Sequence, residues 1–428
     1  MIKIGTNLNL PASNRHVVVT RTLGEGSQGV VFEANDASGP PLAIKWYYPH
    51  TATESQRRAI ALLIDRGTPS NRFLWPMELL TERSVPGFGY AMPLRPADYA
   101  SLSDLLVGRA DMPFRAVCRL CLELAHSFLL LHAQGLCYRD ISFSNVFFDQ
   151  VDGTPLICDN DNVGVDGASP IAVLGTRRFM APEIVRHEAL PSTQTDLYSL
   201  SVLLFYVLMM GHPLLGKREL EFECWDDNAE SIVFGKDAHF IFDPEDDSNR
   251  PIPEIHASVI RYWSLYPDFV KQHFVHAFTR GLTDPKNGRV RESVWRVALA
   301  RLHDCIVECT SCNRQNFVSI DTPNTCWACG DTLRSVGRCQ INGAEIVLGK
   351  GARITGHHVR RNYDYETVIG KVVAHPSRPD LLGMQNCTES AWEAHLPSGE
   401  THAVEPGRSI RLSSGLELDL GAVRAHVE

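Results

Sequence analysis

The sequence predicts an α+β fold in which a strand-rich and then helix-rich region is followed by two small appendages. Three observations carry this. Valine-rich, glycine-punctuated runs crowd residues 15–93, and long apolar runs of helical character crowd residues 94–305. Two CxxC pairs sit together within residues 306–334. From Gln340 onward short β-prone runs alternate with glycine turns, so residues 335–428 read as all-β.

A chain of 428 residues with 44% apolar and 21% charged residues has the composition of an ordinary globular protein with several domains. The net charge of −9 argues against general nucleic-acid binding. Residues 1–14 lack an apolar core after Lys3, so no secretory signal is expected. The longest apolar run, Leu197 to Met210, falls short of the roughly 20 residues that span a bilayer. These features predict a cytoplasmic protein with no membrane partner. Four of the twelve cysteines form the CxxC pairs of residues 306–334, and most others sit in apolar patterns. That usage points to metal and buried thiols rather than disulfides.

Taken in order, Val17–Val19 and Val30–Phe32 read as strands flanking Leu23-Gly24-Glu25-Gly26-Ser27-Gln28-Gly29. The glycines join strand to strand, whereas a dinucleotide fingerprint joins strand to helix. Such glycines let backbone amides approach phosphates without side-chain clash. Ala43-Ile44-Lys45 is a third strand, with a lysine inside an apolar run. Thr53 to Arg66 reads as a helix whose only glutamate is Glu54, and Phe73–Pro76 and Gly87–Met92 as further strands. Ser101 to Leu106 opens the helical part. Phe114 to His132 is apolar on most sides, hence a buried helix with Cys118 and Cys121 as core cysteines.

The stretch from Leu136 to Asp161 holds the chemistry. Asp140 is followed by Asn145, and an apolar strand then ends in Asp159-Asn160-Asp161. One carboxylate to orient a hydroxyl, and an amide oxygen and a second carboxylate to hold metal, suit phosphoryl transfer. The plainer alternative is an acidic loop between two core strands.

The loop resembles the protein-kinase catalytic loop H-R-D-x-x-x-x-N, with Tyr138 in the histidine's place. Other segments in matching order resemble the same family: the Gly24–Gly29 hairpin, Ala43-Ile44-Lys45, Ala181-Pro182-Glu183 and Asp284-Pro285-Lys286-Asn287-Gly288-Arg289. The resemblance implies a bilobal fold, with an N-lobe over about 15–93 and a C-lobe over about 94–305. It also implies ATP with Mg²⁺ or Mn²⁺ as cofactors and a protein as substrate. Asp140 would orient the substrate hydroxyl, Asn145 and Asp159 would bind the metal, and Lys45 would hold the α- and β-phosphates. The implied nucleotide contacts are Gly24, Gly26, Gly29, Val31, Ala43, Lys45, Met92, Leu94 and Phe147. Glu54 would pair with Lys45, Thr176 would bond Asp140, and Asp196 would accept backbone N–H groups of the loop. Arg289 would pair with Glu183. Ser169 would be a loop phosphosite partnered by Arg139. The loop lacks the Ala-Ala-Arg of tyrosine kinases, so serine and threonine would be the acceptors.

Two departures open a second reading. Asp159-Asn160-Asp161 stands where the family has D-F-G, and Ser142 stands where it commonly has a lysine. Asp161 could touch metal or be a solvated acid at a strand end, the latter favoured. A nucleotide-binding pseudokinase that recruits partners is therefore the alternative to an enzyme. A small-molecule kinase shares the Asp/Asn/Asp set but would normally lack the glycine hairpin and the Ala-Pro-Glu segment.

Cys309-x-x-Cys312 and Cys326-x-x-Cys329 supply four thiolates for a closed, structural zinc site of ribbon type. The tail, with Ile346–Lys350, Asn386-Cys387-Thr388 and Trp392, resembles a degenerate forkhead-associated sandwich. Arg353 and His357 are the candidates for its phosphate-reading residues, and a plain packing or partner-binding β domain is the alternative. The order of the three parts resembles bacterial kinases of tellurite-resistance-type stress systems. That implies a von Willebrand-type protein and a PP2C-type phosphatase as partners.

Overall fold

Alternation along one central strand decides how the N-lobe is built. In the computed structural model, which describes every residue except 37–38 and 168–174, six antiparallel strands form the first sheet. They are β1 (Asn7–Leu10), β2 (Arg15–Glu25), β3 (Gly29–Asn35), β4 (Leu42–Tyr47), β5 (Glu78–Glu82) and β6 (Val85–Pro93), in the order β1-β2-β3-β4-β6-β5. All six residues of β4 are buried. Side chains alternate between the faces of a strand. Leu42, Ile44 and Trp46 therefore join Val17, Val19 and Phe32 in an outer core, whereas Ala43 and Tyr47 join the core shared with the C-lobe. Lys45 falls on the second face, toward the cleft. Helix α1 (Glu54–Arg66) covers that face. Thr53 caps it by accepting from Gln56 N, and Gly67 ends it at φ 74°.

Phe73–Pro76 is not a strand, contrary to the sequence reading. Phe73 makes only an isolated parallel bridge to Ile157, with Leu74 N donating to Ile157 O at 2.9 Å. Pro76 lacks the N–H that a ladder would need.

The C-lobe is organised around two apolar helices. Thr193–Met209 opens with a Ser192/Thr195 capping box and is buried from Thr195 to Met209. Phe114–Ala133 is long and apolar enough to cross a membrane, yet 61% of its most apolar window is buried inside the protein. Cys118 and Cys121 lie in this helix as buried free thiols. Residues 217–267, for which the sequence offered no chemistry, form short helical turns that lay Val233 and Phe234 against Val185 and Leu214.

Buried charges fix the loops between these helices. Asp196 accepts from Tyr138 N, from Arg139 N at 3.0 Å and from His132 Nε2 at 3.1 Å. Arg289 Nη2 lies 2.9 Å from both carboxylate oxygens of Glu183. Both contacts are those that the resemblance implied.

Residues 306–334 dock on the start of helix Phe114–Ala133. Strands Ile306–Glu308 and Gln315–Phe317 pair, Phe317 stacks on Phe114 with ring centroids 4.6 Å apart, and Arg261 covers Trp327 at 5.3 Å. The remaining residues fold as a six-stranded and a four-stranded antiparallel sheet sharing one core. This part is pinned to the C-lobe: His358 Nδ1 accepts from Thr355 N at 2.9 Å, so its Nε2–H faces Asp304 Oδ1 at 3.0 Å. His357 is buried, accepts from Tyr363 N at 2.8 Å and stacks on Tyr365. It is therefore not an open phosphate reader. Arg353 is half-buried, and its Nε has no partner among the described residues.

His132 also faces Glu292 through Nδ1. Burial alone would lower its pKa, but the hydrogen bonds and charges of Asp196 and Glu292 raise it to about 9. A pKa raised on folding stabilises fully below the unfolded value near 6.5, and the gain is lost as pH rises through the folded value. The stability of the wild type measured by urea unfolding should therefore fall between pH 6.5 and 9.5 by up to about 3 kcal/mol. His132→Gln should lack that slope, and parallel pH profiles would refute the assignment.

Candidate active site

Lys45 is 6% exposed and meets two carboxylates, Asp159 Oδ1 at 2.6 Å and Asp161 Oδ2 at 2.7 Å. A buried charge needs such partners. Burial pulls its pKa down, and the charges of Asp161 and Asp159 more than offset that, so the amine stays protonated. Burial also opposes ionisation of both acids. Lys45 nevertheless holds Asp161 below the usual carboxylate range, whereas Asp161's own charge helps to push Asp159 up.

Asp159 sits at φ 54°, the left-handed region that Asp tolerates better than bulky residues. This twist ends strand Pro155–Ile157 and turns the carboxylate into the cleft. Asn160 is fully buried, with Nδ2 donating to Leu74 O at 2.9 Å and Ile157 O at 3.0 Å. Where the related motif packs a phenylalanine, this chain ties the loop by hydrogen bonds.

On the opposite wall, Asp140 Oδ1 accepts from Thr176 N at 2.8 Å and Oγ1 at 2.9 Å. Asn145 Nδ2 donates to Asp140 O at 2.9 Å and Oδ2 at 3.2 Å. The amide nitrogen is spent on Asp140, and Asn145 Oδ1 accepts from Ser144 Oγ at 3.4 Å. An amide oxygen and a carboxylate are the hard donors that Mg²⁺ prefers, so these residue types fit that ion; Asp159 lines the cleft cavity, and Asn145 is buried beside Asp140.

A cavity of about 360 Å³ opens between the walls, lined by Gly24–Gly29, Val31, Lys45, Asp140, Asp159 and Asn162. A Cβ on Gly24 would meet nothing within 4 Å, and one on Gly26 only Gly29 O at 4.0 Å, so these two leave room for a ligand. Gly29 is needed for packing, since a Cβ there would stand 2.2 Å from Trp46 O. Gln28 closes the hairpin onto the floor: it accepts from Lys45 Nζ at 3.2 Å and donates to Asn162 Oδ1 at 3.1 Å. The sequence reading passed over Gln28 and Asn162, whose only signal was their place beside a glycine and an aspartate.

Ala43 and Met92 face each other across β4 and β6. Neither they nor Leu94 and Phe147 line the cavity. The Arg95 guanidinium lies 4.0 Å over the Phe147 ring and donates to Tyr99 O at 2.9 Å.

Two expectations fail. Glu54 is more than half exposed and pairs with Arg57 and Arg58 on its own helix, not with Lys45. Asp161 is no solvated acid: it is fully buried, bound to Lys45 and to the Tyr47 hydroxyl. The buried polar residue of α1 is Gln56, whose Nε2 donates to Asp161 O and Tyr47 Oη at 3.2 Å each. Ser169 lies outside the described residues. Arg139 is 8% exposed with its guanidinium against Gly164.

A second cluster is separate from the cleft. The Sγ atoms of Cys309, Cys312, Cys326 and Cys329 all lie within 4.8 Å of one another, and two pairs stand at 3.6 Å. Four thiolates around a tetrahedral zinc would be roughly 3.8 Å apart, from Zn–S bonds of about 2.3 Å. Against the effect of burial, the backbone N–H groups of Ala328 and Cys329 and the Asn316 amide hold the Cys326 thiol below its ordinary pKa. The set could hold zinc.

Comparison with known proteins agrees with the cleft. Residues 88–260 match the protein kinase domain. The chain is similar to the protein kinase MCK1 of Saccharomyces cerevisiae, 26% identical over 205 residues, which are 46% of this chain and 53% of that protein. It is also similar to the dual serine/threonine and tyrosine protein kinase of Apis mellifera, 24% identical over 195 residues, 44% of this chain and 20% of that one. The serine/threonine-protein kinase PknL of Mycobacterium tuberculosis is 31% identical over 125 residues, 28% of this chain and 31% of that one. The chain thus spans about half or less of the length of these relatives. On the match and the geometry together, this chain carries a protein kinase domain.

Proposed function

We propose that the protein is an ATP- and Mg²⁺- (or Mn²⁺-) dependent kinase that transfers the γ-phosphate to serine and threonine hydroxyls of a protein. The supporting observation is the meeting of Lys45, Asp140 and Asp159 on one cavity beneath a glycine hairpin. Bound MgATP supplies the phosphoryl group and the cationic charge that offsets its oxygens. Asp140, fixed by Thr176 and Asn145, orients the acceptor hydroxyl and takes its proton. Lys45 would hold the phosphates, and the Gly24–Gly29 hairpin would supply backbone amides to them.

The three-part order supports a place in a bacterial stress-type phosphorylation system in the cytoplasm. Its partners there would be a von Willebrand-type protein and a PP2C-type phosphatase, with the β domain as a forkhead-associated-like recruiting module. The second reading, a pseudokinase scaffold, draws on two observations. Arg95 covers Phe147, and Ser142 bonds Ser144 where a lysine would otherwise stand.

Asp140→Asn should abolish phosphate transfer to a generic basic protein from labelled ATP with magnesium or manganese, while ATP binding stays nearly intact. Equal transfer by variant and parent would refute the role of Asp140. A parent that binds ATP and transfers nothing would leave the scaffold reading.

The ribbon cluster is proposed as a structural zinc site. Protein purified without chelator should carry about one zinc per chain by elemental analysis. Cys309→Ser should lose it and release Trp327 from Arg261, seen as a shift in tryptophan emission. A zinc-free wild type with an ordered ribbon would overturn the site.

A further inference from the structure

We infer that Asp161 is the positioning residue for Lys45: the carboxylate that holds the phosphate-binding lysine comes from the Asp159 loop, and α1 supplies no charge to the site. The inference rests on the kinase reading and adds a residue and an arrangement to it.

Four observations carry it. Among the described residues, only Asp159 and Asp161 form ion pairs with Lys45. The only glutamate of α1, Glu54, is exposed and is satisfied by Arg57 and Arg58. Asp161 is fully enclosed, so metal and solvent do not reach it as they reach Asp159, whose side chain is 36% exposed. Its carboxylate is itself held in place: the Tyr47 hydroxyl donates to Oδ2, and Gln56 bonds both the Asp161 carbonyl and Tyr47.

The two acids divide the labour by exposure. Asp159 is free to leave Lys45 for a metal ion, since its carboxylate faces the cavity. Asp161 cannot leave without exposing a buried ammonium, so it keeps Lys45 aimed when Asp159 turns away. Lysine and metal-binding acid are thereby set by one three-residue turn, Asn160–Asn162, and the strand beside it. Gln56 lets α1 buttress the arrangement through neutral hydrogen bonds. Pulling α1 outward would loosen Tyr47 but would break no ion pair.

The test uses the full chain and four variants, each checked for folding by circular dichroism. Asp161→Asn should lower kcat for phosphate transfer by roughly tenfold to a hundredfold. The KM for ATP should change less, because the lysine still meets the nucleotide but out of line. Adding Gln56→Glu to Asp161→Asn places a carboxylate beside Tyr47 and should recover part of kcat, which a purely structural defect would not allow. Glu54→Gln should transfer within about twofold of the wild type. Asp140→Asn is the inactive control. A folded Asp161→Asn with wild-type kcat would overturn the inference while leaving the kinase reading intact. So would a tenfold loss in Glu54→Gln, which remains informative if Asp161→Asn fails to fold. A wild type with no transfer overturns the kinase reading and this inference with it.

Discussion

Lys45 places a charge where water scarcely reaches, and Asp159 and Asp161 sit within 2.7 Å of its amine. An ammonium buried without such partners would be severely destabilising, and removing one partner from a buried group costs several kcal/mol. This cluster therefore dictates much around it. It fixes which face of β4 looks into the cleft, and it holds the left-handed turn at Asp159. It also joins the N-lobe sheet to a loop that belongs to the C-lobe side. Gln28 and Asn162 extend the same network to the roof, so hairpin, floor and back wall share one set of hydrogen bonds.

The same logic recurs beneath the opposite wall. Asp196 is nearly enclosed, and it is satisfied by two backbone N–H groups and by His132, which Glu292 braces from behind. The loop holding Asp140 is thus set from below by a carboxylate and from the side by Thr176. Glu183 and Arg289 repeat the device at the edge of the lobe. Buried ion pairs are weak stabilisers in net terms, because desolvation offsets attraction. Their value here is in placement: each allows one geometry of a loop that has little secondary structure of its own.

How much of this was legible follows from which interactions are local. Most of the N-lobe strands, the long apolar helices and the core thiols could be read because period and burial are written in short windows of sequence. That Lys45, Asp140 and Asp159 share one cavity was legible by spacing, and the contacts of Thr176, Asp196, Glu183 and Arg289 through the resemblance. Asp161 was misjudged because a strand-end acid looks solvated until Lys45 and Tyr47, more than a hundred residues earlier in the chain, close over it. Glu54 was chosen because it was the only glutamate in its helix; the helix turns that position outward and sets Gln56 inward. Phe73–Pro76 looked like a strand by apolar content, but a proline and a single bridge partner cannot make a ladder. His357 was a candidate phosphate reader, and packing against Tyr363 and Tyr365 hid it.

That docking limits what the C-terminal sheets can touch. The short helix Gly356–Arg360, with His357 and His358, is turned inward onto Asp304 and the tyrosines beside it. Strand Thr401–Val404 ends the six-stranded sheet, with a strand partner on one side only among the described residues, and its first three residues are exposed. At four residues it is the kind of short edge that gives another chain little backbone to pair with.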